Sequence, residues 1–208
     1  MVSDILAFTS DHYPALHLQQ MILQPPETVF RHRDCVRFLG ASPIRGDLAA
    51  RNCLLTEDLR LKIADFGLSR LGEEFKIAQA IKLPVRWTAP EVFAISTYFL
   101  ASDVWSFGVL MWEIFTNGQQ PYKGMTTSQI VRFIRDGKRL SLEPELKVPQ
   151  EMQQLMQECW TFKHTSRPSF AYVRRRIEQY LDKVVLNSLK VKATSTAKEV
   201  DAIDNKNS

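Results

Sequence analysis

"DLAARNCLLTEDLRLKIADFG", residues 47–67, holds two short apolar runs, Cys53-Leu54-Leu55 and Leu61-Lys62-Ile63, around an acidic turn. Short runs of this kind on either side of a tight polar connection predict a pair of short strands. Polar side chains able to bear chemistry stand at the ends of that pair. Asp47 and Asn52 precede the first strand, and Asp65-Phe66-Gly67 follows the second. Carboxylate and carboxamide oxygens are hard donors suited to magnesium. Taken alone, the same groups read more readily as turn residues and a plain bend.

Toward the carboxyl end, residues 66–90 mix charges with Gly67, Gly72 and two prolines, which predicts a long loop. "DVWSFGVLMWEIF", 103–115, is apolar almost all the way round, and a helix of that kind has to be wrapped by other elements. Trp105, Phe107, Trp112, Ile114 and Phe115 are core candidates with no assigned chemistry. Further helices are expected over 127–136, 150–160 and 170–182. Residues 183–208 end in "LNSLKVKATSTAKEVDAIDNKNS", polar and small, and read as a disordered tail. Toward the amino end, residues 1–29 carry Pro14, Pro25 and Pro26 and little period, and are left unassigned and weakly structured. The apolar run 35–39 reads as a strand.

Bulk composition narrows the class. A chain of 208 residues, 45% hydrophobic and 24% charged, is long enough for one sizeable core. Lys and Arg exceed Asp and Glu by 27 to 23, a net +4 that is not gathered into a block, so nucleic acid is not indicated. Three cysteines, Cys35, Cys53 and Cys159, lie far apart with no C-x-x-C pair. Disulfide frameworks and zinc sites are therefore poor readings, and a cytoplasmic setting is expected. The amino end lacks the pattern of a secretory signal, and no run approaches the length of a transmembrane segment.

The motifs form an ordered series. "DLAARN" at 47–52 is followed by "DFG" at 65–67, "APE" at 89–91, "SDVWSFGV" at 102–109, "CW" at 159–160 and "RP" at 167–168. The series resembles the large lobe of a protein kinase, specifically a tyrosine kinase. Residues 45–182 are assigned to that lobe. The resemblance implies a mainly α fold, a protein-kinase-like C-terminal lobe built as a helical bundle with short β-hairpins, beside an incomplete N-lobe. It implies transfer of the ATP γ-phosphate to protein tyrosine, with ATP and Mg2+ as cofactors and tyrosine-containing substrates or signalling partners. Asp47 would accept the proton of the substrate hydroxyl, and Asn52 and Asp65 would hold metal and nucleotide. Ala49-Ala50-Arg51 resembles the tyrosine-kinase form of the catalytic loop, which gives Arg51 a catalytic place. "LPVRW", 83–87, resembles the shelf that supports the residue after the substrate tyrosine. Phe66 and Gly67 take structural roles, and Glu91 and Arg167 would form the lobe's internal ion pair. Asp103 would hold the catalytic-loop backbone, although it also makes sense as a helix cap.

The sequence departs from the family's pattern at several points. His32-Arg33-Asp34 looks like a second catalytic triplet, but the spacing to Asn52 and Asp65 selects Asp47, so the loop reads Arg45-Gly46-Asp47. Residues 30–44 resemble instead a remnant of the small lobe's fourth strand. A kinase has a fifth strand, a hinge and two helices between that strand and the catalytic loop, and none fits in residues 41–45. By ordinary element lengths, roughly 40 or more residues are missing. No G-x-G-x-x-G occurs, and no lysine precedes Lys62. The loop position where tyrosine kinases usually carry a phosphorylated tyrosine holds Phe75, and the arginine that would meet the phosphate is Gly46. Gly46 marks either a lost control or the boundary of a deletion.

Removing the helix before the catalytic loop would bare part of 103–115, unless residues 1–44 cover it. A patch of a few hundred Å2 at roughly 25 cal/mol per Å2 forfeits on the order of 5–10 kcal/mol. Three functions are therefore expected to compete: an active tyrosine kinase, an inactive kinase-derived binding module, and the product of an incomplete gene model.

Overall fold

A computed structural model defines residues 46–55, 61–63, 72, 74–77 and 83–204 of the protein. The assignments to residues 1–29 and 30–44, the His32-Arg33-Asp34 triplet and Asp65, Phe66 and Gly67 lie outside the described residues. Strand β1, Cys53–Leu55, pairs antiparallel with β2, Leu61–Ile63, in the register Cys53↔Ile63. Both residues of that pair are buried, so the hairpin seats its end on the core.

A second antiparallel strand pair lies within and after the expected loop. Strand β3, Glu74–Lys76, pairs antiparallel with β4, Thr97–Phe99, and places Phe75 opposite Tyr98. Between them runs α1, Pro90–Ile95. Pro90 opens it at a position where the missing N–H costs nothing. Ser96 closes it in the left-handed region at φ 53°, its N–H returning to the Val92 carbonyl at 3.0 Å.

The apolar run becomes α2, Leu100–Phe115, which begins three residues before the sequence expectation. The Ser102 hydroxyl accepts the Phe99 N–H at 3.1 Å and so anchors the first turn. Every residue over 102–115 is buried. The exposed patch expected on this helix is therefore not found. Helix α4, Gln150–Cys159, packs along it, and β4 and the short turns at Ala50–Asn52 and His164–Ser166 cover further faces. The α2–α4 contact is close at Gly108, where a methyl group would come within 2.6 Å of Trp160 Nε1 and 2.9 Å of Cys159 Cβ.

Helix α3, Thr127–Arg135, starts with a reciprocal cap. The Thr126 N–H donates to Gln129 Oε1 at 2.8 Å, and the Gln129 N–H to Thr126 Oγ1 at 3.4 Å. The helix presses Ile130 and Ile134 into the core beside α1. The last helix, α5, spans Phe170–Asp204. The helix therefore continues past the 170–182 expected from the sequence and into the stretch read as a tail. Polar composition removed the reason to bury this stretch, but residues 170–204 contain no Gly or Pro to end the helix. Leu181 is buried, whereas Leu186 and Leu189 are 53% and 54% exposed.

Candidate functional site

Local geometry brings Asp47, Arg51 and Asn52 together. Residues 50–52 form one tight turn whose Asn52 N–H reaches the Ala49 carbonyl at 3.0 Å. That turn carries Arg51 back over Asp47, and the guanidinium donates to Asp47 Oδ1. Asn52 Nδ2 donates to the Asp47 backbone carbonyl at 2.8 Å. The carboxamide oxygen of Asn52 remains as its acceptor. The Asp47 side chain keeps a solvent-facing edge, and Asn52 is buried.

The loop is gripped from β4 and α2. Asp103 Oδ1 accepts the Gly46 N–H at 2.9 Å, while the Tyr98 hydroxyl donates to the Gly46 carbonyl at 3.0 Å. Gly46 sits at φ 71°, a conformation that glycine adopts without the strain a side chain would bring. Further along α2, Glu113 Oε2 accepts both the Ala50 N–H at 3.0 Å and the Trp87 indole N–H at 2.8 Å. Burial pushes the Glu113 carboxyl above its ordinary range despite those two bonds.

Trp87 ties this loop to residues 83–87. The Arg51 guanidinium lies over its ring at 4.1 Å, a cation–π contact. The Ser106 hydroxyl donates to the Trp87 carbonyl at 2.7 Å. Arg86 donates to the carbonyls of Pro121, Tyr122 and Met125 at 2.6, 2.7 and 3.2 Å. The "LPVRW" segment is thus fixed from both sides, close to the Asp47–Arg51 pair.

Glu91 and Arg167 meet away from this loop. Arg167 Nη1 and Nη2 donate to Glu91 Oε1 and Oε2 at 2.7 and 2.6 Å, the two-point geometry that suits a planar guanidinium. The Arg167 side chain is 0% exposed. Its other protons go to the carbonyls of Ala101, Thr161 and Phe162, and the Ser102 hydroxyl donates to Glu91. Burial alone would raise the Glu91 carboxyl. The hydrogen bonds and charge of Arg167, with Ser102, outweigh it and hold the group below its usual range.

The family model described as protein tyrosine and serine/threonine kinase matches residues 35–177. The chain is 44% identical over 155 residues to the rat tyrosine-protein kinase receptor TYRO3, covering 73% of this chain and 17% of that protein. The chain belongs to the protein tyrosine kinase family. It is similarly 45% identical over 137 residues to human tyrosine-protein kinase ABL2, covering 65% of this chain and 11% of that protein. Mouse ephrin type-A receptor 1 is 41% identical over 145 residues, 68% of this chain and 15% of that protein. The chain therefore spans less than a fifth of the length of these relatives. Among the described residues, no helix is long and apolar enough to cross a membrane.

Within this kinase lobe, the motifs missed two contributors. Glu113 and Tyr98 make their contacts with residues far away in sequence. Glu113 did leave a signal: with Asp103, it is one of only two charged residues in α2. A carboxylate inside a helix buried on every side has to be satisfied by something.

Proposed function

We propose that this tyrosine-kinase chain carries the acceptor side of the phosphotransfer reaction without the nucleotide side, so that alone it neither holds MgATP nor transfers phosphate. Asp47 would accept the proton of a substrate tyrosine hydroxyl. Arg51 would orient that carboxylate, and Trp87 would support Arg51. Glu113 holds the loop and the 83–87 segment on one carboxylate, so proton acceptor and peptide shelf keep a fixed separation.

The observation that carries the nucleotide half of the reading is internal spacing. Only residues 41–45 connect Gly40 and its preceding strand-like run to the Gly46-Asp47 turn, too few for a hinge and two helices. Asn52 keeps its carboxamide oxygen as an acceptor that could face a metal, while Asp65, the other residue expected to hold magnesium, lies outside the described residues, so no step is routed through the metal. The cytoplasmic setting suggested by the cysteines belongs to the same proposal.

A second reading, a binding module that offers tyrosine peptides or signalling partners this lobe's surface, is favoured by the same intact acceptor cluster. The test incubates the purified chain with MgATP and an acidic tyrosine peptide. No phosphotyrosine is expected. Turnover that disappears in Asp47→Asn would overturn the proposal, and peptide retention without turnover would favour the binding module.

A further inference from the structure

Two residues far apart in sequence, Phe75 and Gly46, are joined in space through Tyr98. The Phe75 and Tyr98 rings stack with centroids 5.2 Å apart and planes 21° from parallel. They are also directly opposed in the β3–β4 register. At the far end of the same side chain, the Tyr98 hydroxyl donates to the Gly46 carbonyl at 3.0 Å. Tyr98 itself is fully buried, so its ring has little room to turn without moving either neighbour.

We infer that Tyr98 is a positioning residue that couples the docking of β3 to the geometry of the Gly46-Asp47 turn. The chain of contacts runs from a largely exposed three-residue strand, through one rigid ring, to the peptide group preceding Asp47. Gly46 needs this restraint because glycine tolerates many backbone conformations. Its left-handed conformation is held from outside rather than by a side chain. Asp103 fixes the N–H of Gly46 and Tyr98 fixes its carbonyl, so loss of either frees one side of the turn. Burial, with the nearby Asp103 and Asp47 carboxylates, pushes the Tyr98 phenol up to about 12, so the hydroxyl stays a donor at neutral pH. Phe75 has no hydroxyl, so the link is an apolar stack that needs no charge and no modification to form. This role of Tyr98 takes its meaning from the reading of 47–52 as the proton-acceptor loop.

The test is amide hydrogen exchange of the full chain, read by NMR without nucleotide or peptide. Its failure is thus distinguishable from failure of the functional reading. The reporters are the Gly46 N–H, the Ile77 N–H bonded to the Ser96 carbonyl, and the Ile130 N–H bonded to the Thr126 carbonyl as a remote reference. Phe75→Ala should speed exchange at both Gly46 and Ile77, by up to roughly tenfold at Gly46, the worth of one ordinary hydrogen bond. Tyr98→Phe keeps the stack and removes the bond, so it should speed Gly46 and leave Ile77 unchanged. Adding Phe75→Ala to Tyr98→Phe should then add nothing at Gly46, the non-additivity expected of residues in one chain of contacts. Phe75→Tyr keeps the stack and should leave exchange as in the wild type. Unchanged Gly46 exchange in Phe75→Ala, an equal effect of that substitution in both backgrounds, or a parallel rise at Ile130 would overturn the inference.

Discussion

Glu91 and Glu113 are both buried carboxylates in the same core, and their environments push them in opposite directions. Glu91 faces a fully buried guanidinium. Replacing it with Gln leaves the Arg167 charge without its counter-charge, and the expected loss is roughly 3–5 kcal/mol by urea denaturation. Glu113 faces only neutral donors on the oxygen that accepts from Ala50 and Trp87, and one amide oxygen can replace it. Glu113→Gln should therefore change stability by less than about 1 kcal/mol, and a loss as large as that of Glu91→Gln would contradict this account. The pH dependence separates them too. Because the folded Glu91 carboxyl lies below its unfolded value near 4.5, its contribution is complete above that pH. That contribution is lost as pH falls through the folded pKa. Glu113, raised in the fold, contributes in the reverse sense: its stabilisation is complete below the unfolded pKa and fades as pH rises through the folded one. The acid limb of a stability–pH profile should flatten in Glu91→Gln and persist in Glu113→Gln. The Glu91–Arg167 contact could be anticipated because both residues belong to motifs. The double role of Glu113 could not, since Ala50 and Trp87 are brought to it only by the fold.

At the scale of elements, the long periodic runs were readable and the shortest pieces were not. β1 and β2 emerge where the apolar triplets place them, and α3 and α4 end within one residue of the sequence expectation. β3 and β4 are three-residue strands, too short to carry a period, and they are specified mainly by pairing with each other. The 183–204 extension of α5 was hidden because polarity signals exposure rather than loss of backbone order. The α2–α4 contact gives a direct test of packing at this scale. Gly→Ala in an open helix position stabilises by about 1 kcal/mol. At Gly108 the added methyl meets Trp160 and Cys159, so Gly108→Ala should destabilise by about 1–3 kcal/mol in chemical denaturation. A gain in stability would mean that α4 does not approach α2 as described.

For the whole molecule, one helix organises the rest. Helix α2 is buried throughout 102–115, and the 46–52 loop, the 83–87 segment and the Glu91–Arg167 pair all hang from it or from the turns around it. What the family adds is an expectation about ATP, and the short step from Gly40 to Asp47 is the ground on which we propose that this chain does not meet it. The most direct measurement is thermal unfolding of the purified chain with and without saturating MgATP. A ligand at about a hundred times its Kd stabilises the folded state by about 2.7 kcal/mol, which for a chain of this size raises Tm by roughly 5–10 °C. We expect no shift beyond a degree or so. A saturable rise of several degrees with MgATP, absent with magnesium alone, would contradict the claim that the nucleotide side of the reaction is missing.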